Sequence, residues 1–217
     1  MTWRGVGPVD VVAMLVIVLS GTVSVGRVAV PIGGLLVLAW ARWSGTPWHE
    51  IGFAQPGSWI ASLTLGVAGG IAFKFMMKAI IMPLFGAPPI NQAYHYLGGN
   101  RAMLPAAVWA MLVAGFGEET VFRGYLFQWL GKLFGSAVGA KVGIVLLTSA
   151  IFALAHYPNQ GLAGTEQATI TGLVFGTVFA ATGRIWIPMF GHAAFDLTAL
   201  AMIYWNVESD VAHLIFK

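Results

Sequence analysis

Two adjacent carboxylates and an arginine interrupt an otherwise apolar run, Gly115-Phe116-Gly117-Glu118-Glu119-Thr120-Val121-Phe122-Arg123. In a helix, successive residues point about 100° apart while positions four apart share a face. Glu119 and Arg123 therefore pair in the favourable order, acid before base, and Glu118 faces elsewhere. Two further polar placements lie inside apolar stretches: Phe152-Ala153-Leu154-Ala155-His156, and His192-Ala193-Ala194-Phe195-Asp196. A carboxylate, an imidazole, and an imidazole backed by an acid make a set suited to activating water. Glu118 would accept the proton, His156 would hold and orient the water, and His192 would donate to the oxyanion forming on a carbonyl. Asp196, four residues on, would fix the tautomer and ring direction of His192.

The elements that must carry these groups are set by composition. Of 217 residues 58% are hydrophobic and only 9% are charged, so water is not the solvent for most of the chain. An ionisable side chain at mid-helix in hydrocarbon costs roughly 2.5–3.5 kcal/mol, which makes each one inside a span a candidate for function. The expected fold is all-α, a polytopic integral membrane helical bundle. Residues 1–217 form a single transmembrane domain, with the motif-bearing core at about 103–206.

About seven transmembrane helices are expected, each near 20 apolar residues with Pro, Gly and charge at the joints. They run from about Val11 to Val25, Val28 to Trp43, Trp59 to Phe85, Met103 to Phe134, Ala137 to Tyr157, Gln167 to Thr182 and Pro188 to Trp205. The first could be taken for a signal peptide, but Asp10 and the continuing apolar sequence favour an anchor. Lys74 and Lys78 are expected to snorkel to the headgroups, and His95 to be an ordinary interfacial residue. Gly66/Gly70, Gly139/Gly143 and Gly172/Gly176 have the spacing that lets helices approach closely. Tryptophans cluster near span ends, as at an aromatic belt. An N-terminus on the cytoplasmic side would place Arg4, Arg42, Lys132, Lys141 and Arg184 there.

A plain up-down meander would leave His156 near one membrane face and His192 near the other. A shared site requires span five or seven to enter obliquely, and Tyr157-Pro158-Asn159-Gln160-Gly161 has the composition of a break that dips inward.

In order and spacing, Glu-Glu-x-x-x-Arg, Phe-x-x-x-His and His-x-x-x-Asp resemble the motifs of the CAAX protease and bacteriocin-processing family of intramembrane proteases, also called the Abi family. The resemblance covers about residues 112–200. It implies a glutamate-dependent, metal-independent endopeptidase with no cofactor, cutting a peptide or membrane-protein substrate near its C-terminus or membrane-proximal part. Glu118 and His156 would activate water, His192 would stand near the oxyanion, and Glu119, Arg123 and Phe152 would support them. Eukaryotic members commonly end the last motif in asparagine; here it is Asp196, and an ionised aspartate cannot donate, which favours the orienting role. The compact bundle looks like a multi-pass protein of a bacterial cell membrane.

Other readings use the same residues. Glu118, His156 and His192 could ligate a catalytic zinc, although no His-Glu-x-x-His helix is present. The cluster could lock helices in a non-catalytic immunity or scaffold protein, or relay protons in a small transporter. A serine nucleophile lacks its Gly-x-Ser-x-Gly elbow, and the absence of cysteine removes thiol chemistry. A net charge of +3, spread singly, makes no nucleic-acid surface; lipid headgroups are the expected polar partner.

Overall fold

The computed structural model describes residues 12, 13, 15–17 and 29–216. The expected anchor at 11–25 lies outside them except for those five positions. The fold is all-helical, with no strand among the described residues.

Helix α1 spans Ala29–Ser44 and turns Val37, Trp40 and Ala41 inward while Leu35 and Trp43 face out. A short 3₁₀ turn at Trp48–Ile51 follows, and its last residue, Ile51, is wholly buried in the main core. Helix α2 spans Trp59–Leu84, beginning where the Ser58 hydroxyl accepts the Ala61 amide at 3.2 Å. That cap satisfies one of the orphan amides of the first turn. Ile60, Leu63 and Leu65 cover its outer face, as hydrocarbon requires.

The loop at 86–103 carries a 3₁₀ turn at His95–Leu97, with His95 exposed. Helix α3 (Leu104–Glu119), a π segment (Thr120–Leu126) and helix α4 (Phe127–Phe134) make one rod, the expected fourth span. Helix α5 covers Val138–Thr182, α6 Trp186–Tyr204, and a short α7 Glu208–Ala212, the last not foreseen. α2, α5 and α6 are long and apolar enough to cross a membrane.

The expected loop between spans five and six is not a loop. Helical backbone continues through residues 158–166 and breaks only at Gly161, at φ 62° and ψ −159°. Pro158 has already removed one amide from the preceding turn, and at Gly161 the chain folds back as a tight antiparallel hairpin. Position 172 then lies against Ser149, position 176 against Val145, and the Lys141 ammonium reaches the Ala180 carbonyl at 3.1 Å. Each arm, at 1.5 Å per residue, runs roughly 30–35 Å and matches a bilayer's hydrocarbon core.

The Gly161 conformation lies in a region essentially reserved for glycine. A Cβ there would meet no atom within 4 Å, so a substitution strains the backbone and nothing else. Gly161→Ala is expected to destabilise the protein by about 1–3 kcal/mol, read as a lowered unfolding midpoint in detergent. A midpoint equal to the parent's would refute this account of the hinge.

The small-residue spacings divide. Gly66 and Gly70 lie against the α6 backbone, where a Cβ on Gly70 would come closer to the Gly191 carbonyl than any real contact allows. Gly172 and Gly176 seat the returning arm of α5. A Cβ on Gly139 or Gly143 would meet nothing within 4 Å, so among the described residues that pair marks no close helix approach.

Candidate functional site

The hinge in α5 returns the chain so that α3, α5 and α6 face one internal cavity of about 500 Å³. Glu118, His156, His192, Asp196 and Phe152 all line it. The break expected at 157–161 is realised as this hairpin at Gly161, and His156 on its first arm lines the same cavity as His192. α3 reaches α6 closely because Gly115 has no side chain: a Cβ there would collide with the Ala193 backbone. The π segment begins directly after Glu119, and such insertions often mark functional sites because they re-aim side chains.

Glu119 and Arg123 pair as their spacing predicts, Nη1 to Oε1 at 2.8 Å, with both side chains buried. Arg123 also donates to the Gly172 carbonyl at 3.1 Å, fastening the returning arm of α5 to α3. The same Glu119 oxygen accepts from His192 Nδ1 at 2.8 Å. This corrects the role expected of Asp196. The tautomer and direction of His192 are fixed by Glu119, while Asp196 Oδ2 stands 3.5 Å from the opposite nitrogen, Nε2. An i,i+4 acid on α6 reaches only the near edge of the ring; Nδ1 points across the helix interface to α3.

Glu118 faces away from Arg123, and its Oε2 lies 3.8 Å from His192 Nε2. His156 Nδ1 donates to the Phe152 carbonyl at 2.8 Å, so a neutral ring keeps its lone pair on Nε2. Phe152 is almost wholly buried and joins the parts. Its ring centroid lies 4.5 Å from His156 and 5.9 Å from His192, and the Arg123 guanidinium sits 4.9 Å above it. Phe175 stacks on His192 at 5.4 Å from the other side.

Lys74 and Lys78 do not snorkel. Both are buried: Lys78 pairs with Glu208 of α7 at 3.2 Å, and Lys74 lines the cavity and donates to Gln167 Oε1 at 2.9 Å. α7 packs against the π turn of α2, Met77–Ile81, which brings Glu208 to Lys78. Gln167, Tyr94 and Gln160 also escaped the sequence reading. Gln160 donates to the Tyr94 hydroxyl at 3.3 Å, tying the loop at 86–103 to the α5 hinge. Burial, with the Asp196 and Glu118 charges adding to it, pushes the Tyr94 phenol up to about 12. Its hydroxyl therefore keeps its proton and remains able to donate.

Fold and site together define a membrane-embedded helical protein whose ionisable groups gather around one internal chamber. Residues 100–198 match the family described as "Rce1-like: Type II CAAX prenyl endopeptidase Rce1-like", whose members are membrane-embedded. The chain is also 29% identical over 133 residues to "Uncharacterized protein YyaK" of Bacillus subtilis (strain 168), a stretch covering 58% of this chain and 43% of that protein. It thus spans less than half of that relative's length. No solved structure matches.

Proposed function

We propose that this protein is an intramembrane endopeptidase in which Glu118 is the general base. The observation that carries this reading is the single chamber holding Glu118, His156 and His192 from three helices. Water between Glu118 and the bare Nε2 of His156 gives its proton to the Glu118 carboxylate as its oxygen bonds to the scissile carbonyl carbon. The oxyanion that forms accepts from His192 Nε2, which donates when the ring carries both protons. Glu119 at 2.8 Å and Asp196 at 3.5 Å supply the balancing charge throughout, and Glu118 at 3.8 Å adds to it until it takes the proton. Collapse breaks the C–N bond, and the proton held by Glu118 passes to the leaving amine. The products are a carboxylic acid and an amine.

The family match to an endopeptidase class supports peptide as the substrate, cut near its C-terminus or membrane-proximal part. The bacterial relative supports a bacterial cell membrane as the location. The test is hydrolysis of a peptide library by the purified protein in detergent. Cleavage is expected, and is expected to persist with an excess of chelator. Loss of activity with the chelator, restored by zinc, would replace this mechanism with the metal-dependent one.

A further inference from the structure

Among the described residues three lysine or arginine side chains are buried, and two of them are matched by carboxylates. Arg123 has Glu119 at 2.8 Å, and Lys78 has Glu208 at 3.2 Å. Lys74 differs. It is only 6% exposed and lines the cavity, yet among the described residues no carboxylate oxygen lies within 4.0 Å of its ammonium. Its contacts are the Gln167 amide oxygen at 2.9 Å and the face of the Phe195 ring, 4.7 Å from Nζ to centroid. Both are neutral. An ammonium has three N–H donors, and one is taken by Gln167. Lys78, one turn further along α2, adds like-charge repulsion to the cost of burying Lys74.

Such a group needs an anion, and the cavity is where an anion can reach it. Resting on the peptidase reading above, we propose that Lys74 is a specificity-determining residue that binds a carboxylate of the substrate while the scissile bond lies at Glu118. Gln167 holds the lysine stem in place, and Phe195, one residue before Asp196, forms the wall behind it. A carboxylate on a peptide has two sources, the free C-terminus and an acidic side chain. A carboxylate within the same chamber as the scissile bond belongs to the short segment around the cut. Repulsion by Glu118 disfavours a carboxylate beside the catalytic acid, and Lys74 is the cavity-lining cation that can accept it.

Binding to the Glu118→Gln protein in detergent tests this without turnover. Four versions of a fluorescent peptide from the cleaved set are compared: with free or amidated C-terminus, each with or without an acidic side chain next to the cut. At least one carboxylate source is expected to raise affinity by about tenfold or more, the worth of one charge-assisted contact. That advantage should disappear in Glu118→Gln/Lys74→Met and survive in Glu118→Gln/Lys74→Arg. Equal binding of all four peptides would overturn the role of Lys74 and leave the peptidase reading intact. So would a carboxylate preference that persists in the Lys74→Met background. Failure of every peptide both to bind and to be cut by the parent protein would remove both conclusions. The arginine variant guards against a fold defect, because it must bind whenever the methionine variant's loss is specific.

Discussion

Glu118→Gln is expected to reduce the rate of peptide hydrolysis by a factor of about 10²–10⁴, the usual contribution of a positioned general base. Glutamine keeps the shape and the capacity to accept one hydrogen bond, but its amide cannot take a proton from water. The change should leave the fold nearly untouched. Glu118 faces the cavity, and its nearest charged neighbour, His192 Nε2, is 3.8 Å away, beyond hydrogen-bond reach. The unfolding midpoint should therefore stay close to the parent's while turnover collapses. KM should change little, because a base that acts on water contributes to the transition state rather than to substrate binding. This pattern separates a hydrolase from a scaffold, for which the same replacement should be silent. Cleavage at an undiminished rate by the glutamine variant would remove Glu118 from the chemistry and, with it, the assignment of His156 as its partner.

How far the sequence foretold this arrangement depends on the range of the forces involved. Helical spacing is local, so the Glu119–Arg123 pair and the outward turn of Glu118 followed directly from an interval of four. The spans of α2, the α3–α4 rod and α6 were legible from apolar length, ending within a residue or two of the observed limits. The Pro158–Gly161 stretch announced a break. Its form was hidden, because the backbone angle adopted by one glycine depends on what the two arms pack against. Nδ1 of His192 could not be assigned either: Asp196 is near in sequence, but Glu119 is near in space through the α3–α6 contact at Gly115. Lys74 and Lys78 misled for the same reason. A lysine near a span end snorkels if its stem can reach water, and Glu208, 130 residues away from Lys78, supplied a nearer partner. The π segment after Glu119 leaves no mark in composition, since it inserts a residue without changing residue type.

Arg123→Met is expected to be the most destabilising single change at the site. The residue is 1% exposed and its guanidinium makes three contacts at once: Glu119, the Gly172 carbonyl and the Phe152 ring. Methionine fills much of the space but leaves the Glu119 carboxylate buried without its cation, a change that costs roughly 3–5 kcal/mol. In a chain of this size each kcal/mol moves the midpoint by about 2–4 °C, so thermal unfolding in detergent should fall by roughly 6–20 °C. Activity should fall too, because Glu119 holds Nδ1 of His192 and the returning arm of α5 is fastened to α3 through Arg123. A paired replacement separates these effects. Glu119→Gln/Arg123→Met removes the stranded charge, so it should recover a substantial part of the lost stability while activity stays low, the glutamine amide being a poorer anchor for a doubly protonated His192. The coupling between the two sites should thus be large and of the sign expected for a buried ion pair. If either single replacement shifts the midpoint by no more than an exposed pair would, under about 1 kcal/mol, the pair does not hold α3, α5 and α6 together, and the chamber's geometry must be maintained by apolar packing alone.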